Sequence, residues 1–423
     1  RHTRLQGDWS SDVCSSDLTF MTLKEKIQWL ETRPRFKPKT SLDHLKEVYD
    51  TLNLKLPSLK VHVVGTNGKG STTMMTTHIL KTKYKVGSFI SPYVYNFNER
   101  ILIQGDPVSD DVLEKALDET IKLYETYPTL TFFELLTLMA LMIFSEASCD
   151  AIVMEAGIGG RLDATNILTY TYSLIVSVGH DHLHLLGPTL IDVLKEKIAI
   201  IKPNGHLLST VDSKFNNLIK AHVNKVEHAT VSFLRENPFK IATRYPLTFT
   251  YKETLYELAF IGDRYASNAR LAIEVGLNED ISVENIKEAL LLTTMPGRFE
   301  KIVEDVYVDG AHNQEAMECL THTLNHVFKH DKKTIILSVL GDKDVKHMLD
   351  ILKQDNHTII LTSFDDPRYQ DISQYQDYDI LFIKDAMEAY QYATNKKDDQ
   401  TKIIITGSIH FIGYLGSKIK QAL

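Results

Sequence analysis

The sequence predicts a doubly wound α/β domain followed by a second, smaller, Rossmann-like α/β domain, and three observations carry that expectation. From Val61 onward, short β-rich runs alternate with helical stretches, which is βαβ order. The runs Ala151-Met154 and Leu174-Val178 are apolar on both faces, as parallel strands covered by helices on each side should be. After Met295-Pro296-Gly297 a fresh alternation begins, and a Pro-Gly step is a natural punctuation point between domains.

In chain order, the first stretch, residues 1–20, has no apolar period and neither the charged start nor the apolar centre of a signal peptide. Its texture is that of translated adapter sequence, so it is expected to be a non-native leader. Met21 opens an amphipathic helix and a first domain expected over 21–295. That domain is predicted to hold a strand at Val61-Val64, a helix from about Ser71, a strand at Val86-Ile90, helices from Asp110 and Phe132, and the two apolar strands already named. The second domain, over 296–423, is predicted to place strands at Val306-Val308, Thr334-Val339, Thr358-Thr362, Ile380-Ile383 and Ile403-Thr406, with helices between them.

With 43% hydrophobic and 24% charged residues, the 423-residue chain can bury two cores. A net charge of -8 argues against a broad nucleic-acid footprint and leaves room for a local basic channel toward an anionic substrate. No apolar run is long enough to span a bilayer, and Cys14, Cys149 and Cys319 form no closely spaced pair. The expectations are a cytoplasmic monomer with no membrane and no nucleic-acid partner.

The strongest local signal is the strand ending in Val64 that runs into Gly65-Thr66-Asn67-Gly68-Lys69-Gly70-Ser71 and then a helix. This is P-loop context, which makes the first domain P-loop NTPase-like. Glycines let backbone N–H groups converge on phosphate oxygens, the helix N-terminus adds its dipole, Lys69 can reach the terminal phosphates, and the Ser71 hydroxyl can ligate magnesium. The spacing departs from the ordinary loop, because Val63 stands at the first glycine position and Gly70 intervenes before the serine. Glu155, at the end of an apolar strand and followed by a glycine-rich segment, is placed to hold magnesium beside that loop. His180, His182 and His184 share one loop, but no cysteine lies nearby and the spacing is not that of a closed zinc site.

The loop Gly65-Ser71 resembles that of the folylpolyglutamate and dihydrofolate synthases, in the Mur ligase superfamily. Mur peptidoglycan ligases tend to carry a threonine where this chain has Gly70, and the chain before Gly65 is expected to be too short for their extra N-terminal domain. Further signatures follow in order. Glu155 through Asn166 is similar to the family's second signature. The resemblance implies a histidine ligand to a second magnesium at His182, and at Lys197 a lysine that is carbamylated in some members, although Ile198-Ala199-Ile200 departs from the family's small residues. Ser91-Pro92-Tyr93, with Arg100, resembles a folate-side loop that often has histidine at the Tyr93 position, and Thr131-Phe132-Phe133-Glu134 resembles a segment bordering the same pocket. Aromatic and amide groups suit a flat pterin. Arg298, Asp309 and His312 fall in segments that face ATP and the second domain; Arg298 would neutralise phosphate charge, and Asp309 and His312 would position the incoming amine or the acyl phosphate. Gln314 replaces the usual proline after Asn313. Asn268 lies where the family contacts adenine, preceded by Arg264-Tyr265 in place of the common His-Gln, and Lys343 matches a segment near the cleft.

The function implied is ATP-dependent ligation of L-glutamate to a folate, or to dihydropteroate, through an acyl phosphate, with two magnesium ions and ATP as co-substrate. Another Mur-type or amino-acid ligase, or a P-loop nucleotide switch that hydrolyses ATP without forming an amide, are the rival expectations. The motifs do not separate addition of the first glutamate from extension of existing folates.

Overall fold

The computed structural model describes residues 21–38, 40–237, 239–341, 343–355, 357–377 and 379–422. The leader expected over 1–20 lies outside them. The N-terminal sheet is built from β1 (Leu59–Val64), β2 (Val86–Phe89), β3 (Ile101–Ile103), β4 (Asp106–Pro107), β5 (Ala151–Glu155), β6 (Tyr172–Ile175), β7 (His206–Ser209) and β8 (Thr230–Phe233). Its order is β4-β3-β2-β5-β1-β6-β7-β8, parallel from β2 to β8, with β3 and β4 forming an antiparallel edge. Helices cover both faces, so β5 is buried at every position, and so are Val61, Val63 and Val64 of β1.

One helix below the sheet, Phe132–Glu146, is apolar nearly all round and is started by a capping box: the Thr131 hydroxyl accepts from Glu134 N and the Glu134 carboxylate accepts from Thr131 N at 2.8 Å. The other, Lys69–Leu80, carries buried threonines, of which Thr72, Thr76 and Thr77 donate to the carbonyls of Gly68, Thr72 and Thr73 one turn back.

A three-stranded antiparallel sheet, β9 (Phe239–Arg244), β10 (Leu247–Tyr251) and β11 (Thr254–Leu258), packs beside helix Asp263–Asn278. The C-terminal sheet follows with β12 (Glu300–Val303), β13 (Val306–Asp309), β14 (Lys332–Leu337), β15 (Thr358–Leu361), β16 (Ile380–Phe382) and β17 (Thr401–Thr406), in the order β12-β13-β17-β14-β15-β16. Only β12 runs antiparallel. The α/β fold expected from sequence is borne out, with corrections. The strand expected at Leu174-Val178 is displaced to Tyr172–Ile175, because Ser177 pairs with the phosphate loop instead of continuing the ladder. Sequence reasoning named neither the antiparallel edge nor β7 to β12.

Candidate active site

A cleft of about 600 Å³ opens where the C-terminal ends of β1, β5 and β6 face those of β13 and β17. β1 delivers the phosphate loop. Gly68 has φ +85°, and a Cβ there would stand 2.6 Å from Asn268 Nδ2; a Cβ on Gly70 would meet Met295 Cε at 2.5 Å and Glu155 Oε2 at 3.4 Å. The unusual Gly70 therefore lets the first helical turn pack closely against the Met295 side chain. Backbone N–H groups of Thr66 and Asn67 donate to Ser177 O (3.1 Å) and Ser177 Oγ (2.8 Å), which fixes the loop from β6. Lys69 Nζ folds back onto Gly65 O at 3.1 Å, and Ser71 Oγ donates to Gly68 O at 3.1 Å. Helix Lys69–Leu80 has no side-chain N-cap, so its first N–H groups remain for an anion.

Beside the loop lie two buried ionisable groups. Glu155 is 3% exposed and accepts from Ser91 N at 3.2 Å; burial pushes its carboxyl up to about 7 against the pull of Lys69, Arg298 and Arg100. Lys197, on helix Leu190–Ile198, is 2% exposed; burial, with Lys69 adding repulsion, pushes its amine down to about 7 against Asp181, Asp163 and Glu196. His182 lines the same cleft at φ +52°. The glycine segment after Glu155 is anchored by Asp163, whose Oδ2 accepts from Gly157 N (2.9 Å) and Ile158 N (3.1 Å) and whose Oδ1 accepts from Thr165 Oγ1 (2.6 Å). Thr165 in turn meets His62 Nε2 at 2.7 Å; His62 stacks on Tyr170 and burial pushes it down to about 3, so it is neutral.

Among the described residues no group of three or more His, Cys, Asp or Glu is arranged to hold a metal. A hydroxyl and one buried carboxylate beside a phosphate-binding loop instead fit magnesium, which keeps waters and substrate phosphates in its shell.

The opposite end of the N-terminal wall is aromatic and cationic. Arg100 is 4% exposed, donates from Nη1 to Ser91 Oγ at 3.2 Å, and lies 5.5 Å from the Phe132 ring centroid. Ser91 and Pro92 line the cleft with them. Two residues named from sequence do not reach the cleft wall. Tyr93 is spent behind Arg100, its ring against Phe97 and its hydroxyl on Glu31 at 3.2 Å. Asn268, on helix Asp263–Asn278, sits beneath the phosphate loop, 3.4 Å from Ser71 Oγ.

On the C-terminal wall Asp309 ends β13 and is 1% exposed. Its Oδ1 accepts from Ala311 N, and its Oδ2 accepts from Phe299 N and Arg264 Nη2, each at 3.0 Å. One carboxylate thereby ties together the loops that present Arg298 and His312, both of which line the cleft. The walls meet at Asp181, which accepts from Lys343 Nζ at 3.1 Å and Asn313 Nδ2 at 3.2 Å and lies 3.5 Å from His312 Nε2. Burial works against its charge, but the His312 hydrogen bond and Lys343 hold the Asp181 carboxyl well below the usual range. Asn313 Nδ2 also reaches Asn67 Oδ1 at 3.0 Å.

Sequence reasoning gave no role to Arg35, Asp163, Asp181, Arg264, Arg368 or His410, all on the cleft. Arg264 was visible only as a departure from a familiar pair, and Asp181 only as the neighbour of His182.

This arrangement, a phosphate loop facing a second α/β domain across a cleft, defines an ATP-dependent ligase of the Mur type. The Mur ligase middle domain matches residues 63–290, and the glutamate ligase domain of Mur ligases matches 297–409. The chain belongs to the folylpolyglutamate synthase/dihydrofolate synthase family. It is 31% identical to the dihydrofolate synthase/folylpolyglutamate synthase of Bacillus subtilis, over 95% of this chain and 100% of that protein. It is 29% identical to the folylpolyglutamate synthase of Lacticaseibacillus casei, over 95% and 99%. Among solved structures, Mycobacterium tuberculosis folylpolyglutamate synthase complexed with ADP superposes with a TM-score of 0.83 at 26% identity, covering 94% of this chain and 98% of that one. A bifunctional folylpolyglutamate synthase/dihydrofolate synthase with Mn, AMPPNP and L-glutamate bound gives 0.83 at 25%, covering 95% and 98%. The family expected from the loop and its ordered signatures is borne out.

Proposed function

We propose that this cleft joins the α-amine of L-glutamate to the carboxylate of a folate or of dihydropteroate, using ATP to make an acyl phosphate. The observation that carries the reading is the placement of buried Glu155 and Lys197 beside the phosphate loop, with the Arg100-Phe132 wall adjoining. A carboxylate does not condense with an amine near neutral pH, because the departing oxygen is a poor leaving group. The backbone from Gly65 to Ser71 holds the ATP phosphates, and Lys69 swings from Gly65 O onto the terminal phosphate. The acid's carboxylate takes the γ-phosphoryl group, ADP leaves, and Arg298 faces the developing charge. The glutamate amine, as free base, then attacks the acyl carbon, and phosphate departs from the tetrahedral intermediate as the amine proton is released.

Ser71 and Glu155 would hold one magnesium and His182 a second; bound there, the ions neutralise phosphate charge. Near neutrality Lys197 has a substantial free-amine population, able to add carbon dioxide as a carbamate with loss of a proton. His312 positions the amine or acyl phosphate, while Asp309, with both oxygens engaged, holds its loop in place. Asn268 supports the phosphate loop on the nucleotide side and Tyr93 backs the folate wall. Residues 21–295 and 296–423 act as the two domains of a cytoplasmic monomer, and their closure keeps water from the acyl phosphate.

The test is incubation with magnesium, ATP and labelled glutamate, separately with dihydropteroate and with reduced folates, followed by mass spectrometry. The expected product carries one added glutamyl unit, and Lys69→Ala lowers its rate by about 10²- to 10³-fold. ATP cleavage without glutamate incorporation into any acid would overturn the reading.

A further inference from the structure

Arg100 is a buried cation with an unmet hydrogen bond. Its Nε has no partner, and among the described residues it forms no ion pair with a carboxylate. Burial pushes its pKa down to about 10, yet the guanidinium lines the cleft and remains charged. Leaving such a group unsatisfied is costly, which points to an acceptor supplied by a ligand. Arg35 approaches the same Phe132 ring, its Cζ 5.1 Å from the centroid where that of Arg100 is 5.5 Å away; Arg35 is exposed and also in no ion pair among the described residues. The neighbouring acids are engaged: Glu31 accepts the Tyr93 hydroxyl, and Glu134 pairs with Lys37 at 2.9 Å. On a chain of net charge -8, this wall carries an aromatic floor flanked by two guanidinium groups, with Glu31 and Glu134 nearby but neither in an ion pair with them among the described residues.

We propose that Arg35 and Arg100 bind the carboxylates of glutamyl units already attached to the folate, so that this wall favours glutamylated folates over dihydropteroate. The proposal rests on the ligase reading and names what part of its substrate this wall selects. Ser91 connects Arg100 to the reacting end: its N–H donates to Glu155 and its Oγ accepts from Arg100. A terminal glutamyl unit that directs its γ-carboxylate toward Lys69 and Glu155 brings its α-carboxylate to Arg100. The aminobenzoyl ring lies on Phe132, and a further glutamyl carboxylate meets Arg35. A planar guanidinium recognises a carboxylate in a two-pronged, charge-assisted way. Dihydropteroate carries only the carboxylate that reacts and has none left for either arginine.

The experiment compares kcat/KM for tetrahydrofolate diglutamate and for dihydropteroate in the wild type, Arg35→Gln and Arg35→Lys. Arg35→Gln is expected to lower the diglutamate-to-dihydropteroate ratio about tenfold, mainly through KM, with Arg35→Lys recovering part of the loss. An equal loss with both acids would overturn the assignment, as would a rise confined to the KM of free glutamate, which would give the arginine to the incoming amino acid. A wild type that forms no amide with either acid would remove the ligase reading itself, and this proposal with it.

Discussion

On the N-terminal wall Glu155 and Lys197 are both almost fully buried, and burial moves both to about pH 7, the carboxyl upward and the amine downward. On the C-terminal wall Asp309 is just as buried, but each of its oxygens has a donor and Arg264 supplies an opposite charge. The same degree of burial thus produces two kinds of site. Where protein partners are complete, as at Asp309, the charge builds geometry. Where they are incomplete, as at Glu155 and Lys197, the fold bears a cost that a bound ion or substrate can relieve.

That contrast breaks first at Glu155. Its folded value of about 7 lies above the ordinary 4.5. Between those values the unfolded carboxyl gives up its proton while the folded one keeps it, so stability falls as pH rises through the window and the penalty is full above it. Glu155→Gln removes the penalty, roughly 1–3 kcal/mol. The variant is expected to melt at a higher temperature than the ligand-free wild type at pH 8, with the margin vanishing below about pH 5, while kcat falls about 10²-fold or more. A variant that melts lower at pH 8 would show that Glu155 is satisfied within the protein and would erase the difference between the walls.

Lys197 tests the same idea with the opposite sign and a smaller functional effect. Its folded value of about 7 lies below the ordinary 10.5, so the unfolded chain binds the extra proton across that interval and stability rises with pH through it. Lys197→Met is expected to stabilise the ligand-free protein at pH 7 and to lose that advantage by about pH 10. If the free amine is used as a carbamate, depleting carbon dioxide at pH 8 should reduce ligation severalfold and bicarbonate should restore it. Ligation indifferent to carbon dioxide would leave Lys197 as an amine in the mechanism.

Local signals made the phosphate loop and Glu155 readable in the sequence, with Arg298, Asp309 and His312 across the cleft, and left the contacts between distant segments hidden. The phosphate loop and Glu155 belong to continuous runs in which strand, glycines and helix follow one another, so their chemistry is written within about a dozen residues. The bonds that shape the other wall join distant positions: Arg264 to Asp309, Asp181 to Lys343, Asn67 to Asn313. No period in the sequence announces them. The same limit explains β7 and β8, four-residue strands with His206, Ser209, Thr230 and Ser232 among them, and β9, whose residues are half-buried or exposed. Tyr93 shows the converse error. Its segment was identified, but only packing against Phe97 and Arg100 reveals that the ring backs the wall instead of lining it.

The smallest expected effect lies where the walls touch. Asp181 has 11% side-chain exposure and Lys343 has 12%, so their 3.1 Å ion pair is shielded from solvent and salt. Asp181→Asn preserves size and the contact with Asn313 but removes the charge that Lys343 and His312 face. If this pair holds the domains together during turnover, the KM for glutamate should rise about three- to tenfold with a lesser change in kcat. Lys343→Met should weaken the same step, and because the two side chains act as one unit, the double variant should fall short of the summed single losses by about 1–3 kcal/mol. Purely additive losses in that cycle would mean that the contact is incidental to closure, and that the ordering of the second wall depends on the Arg264–Asp309 pair.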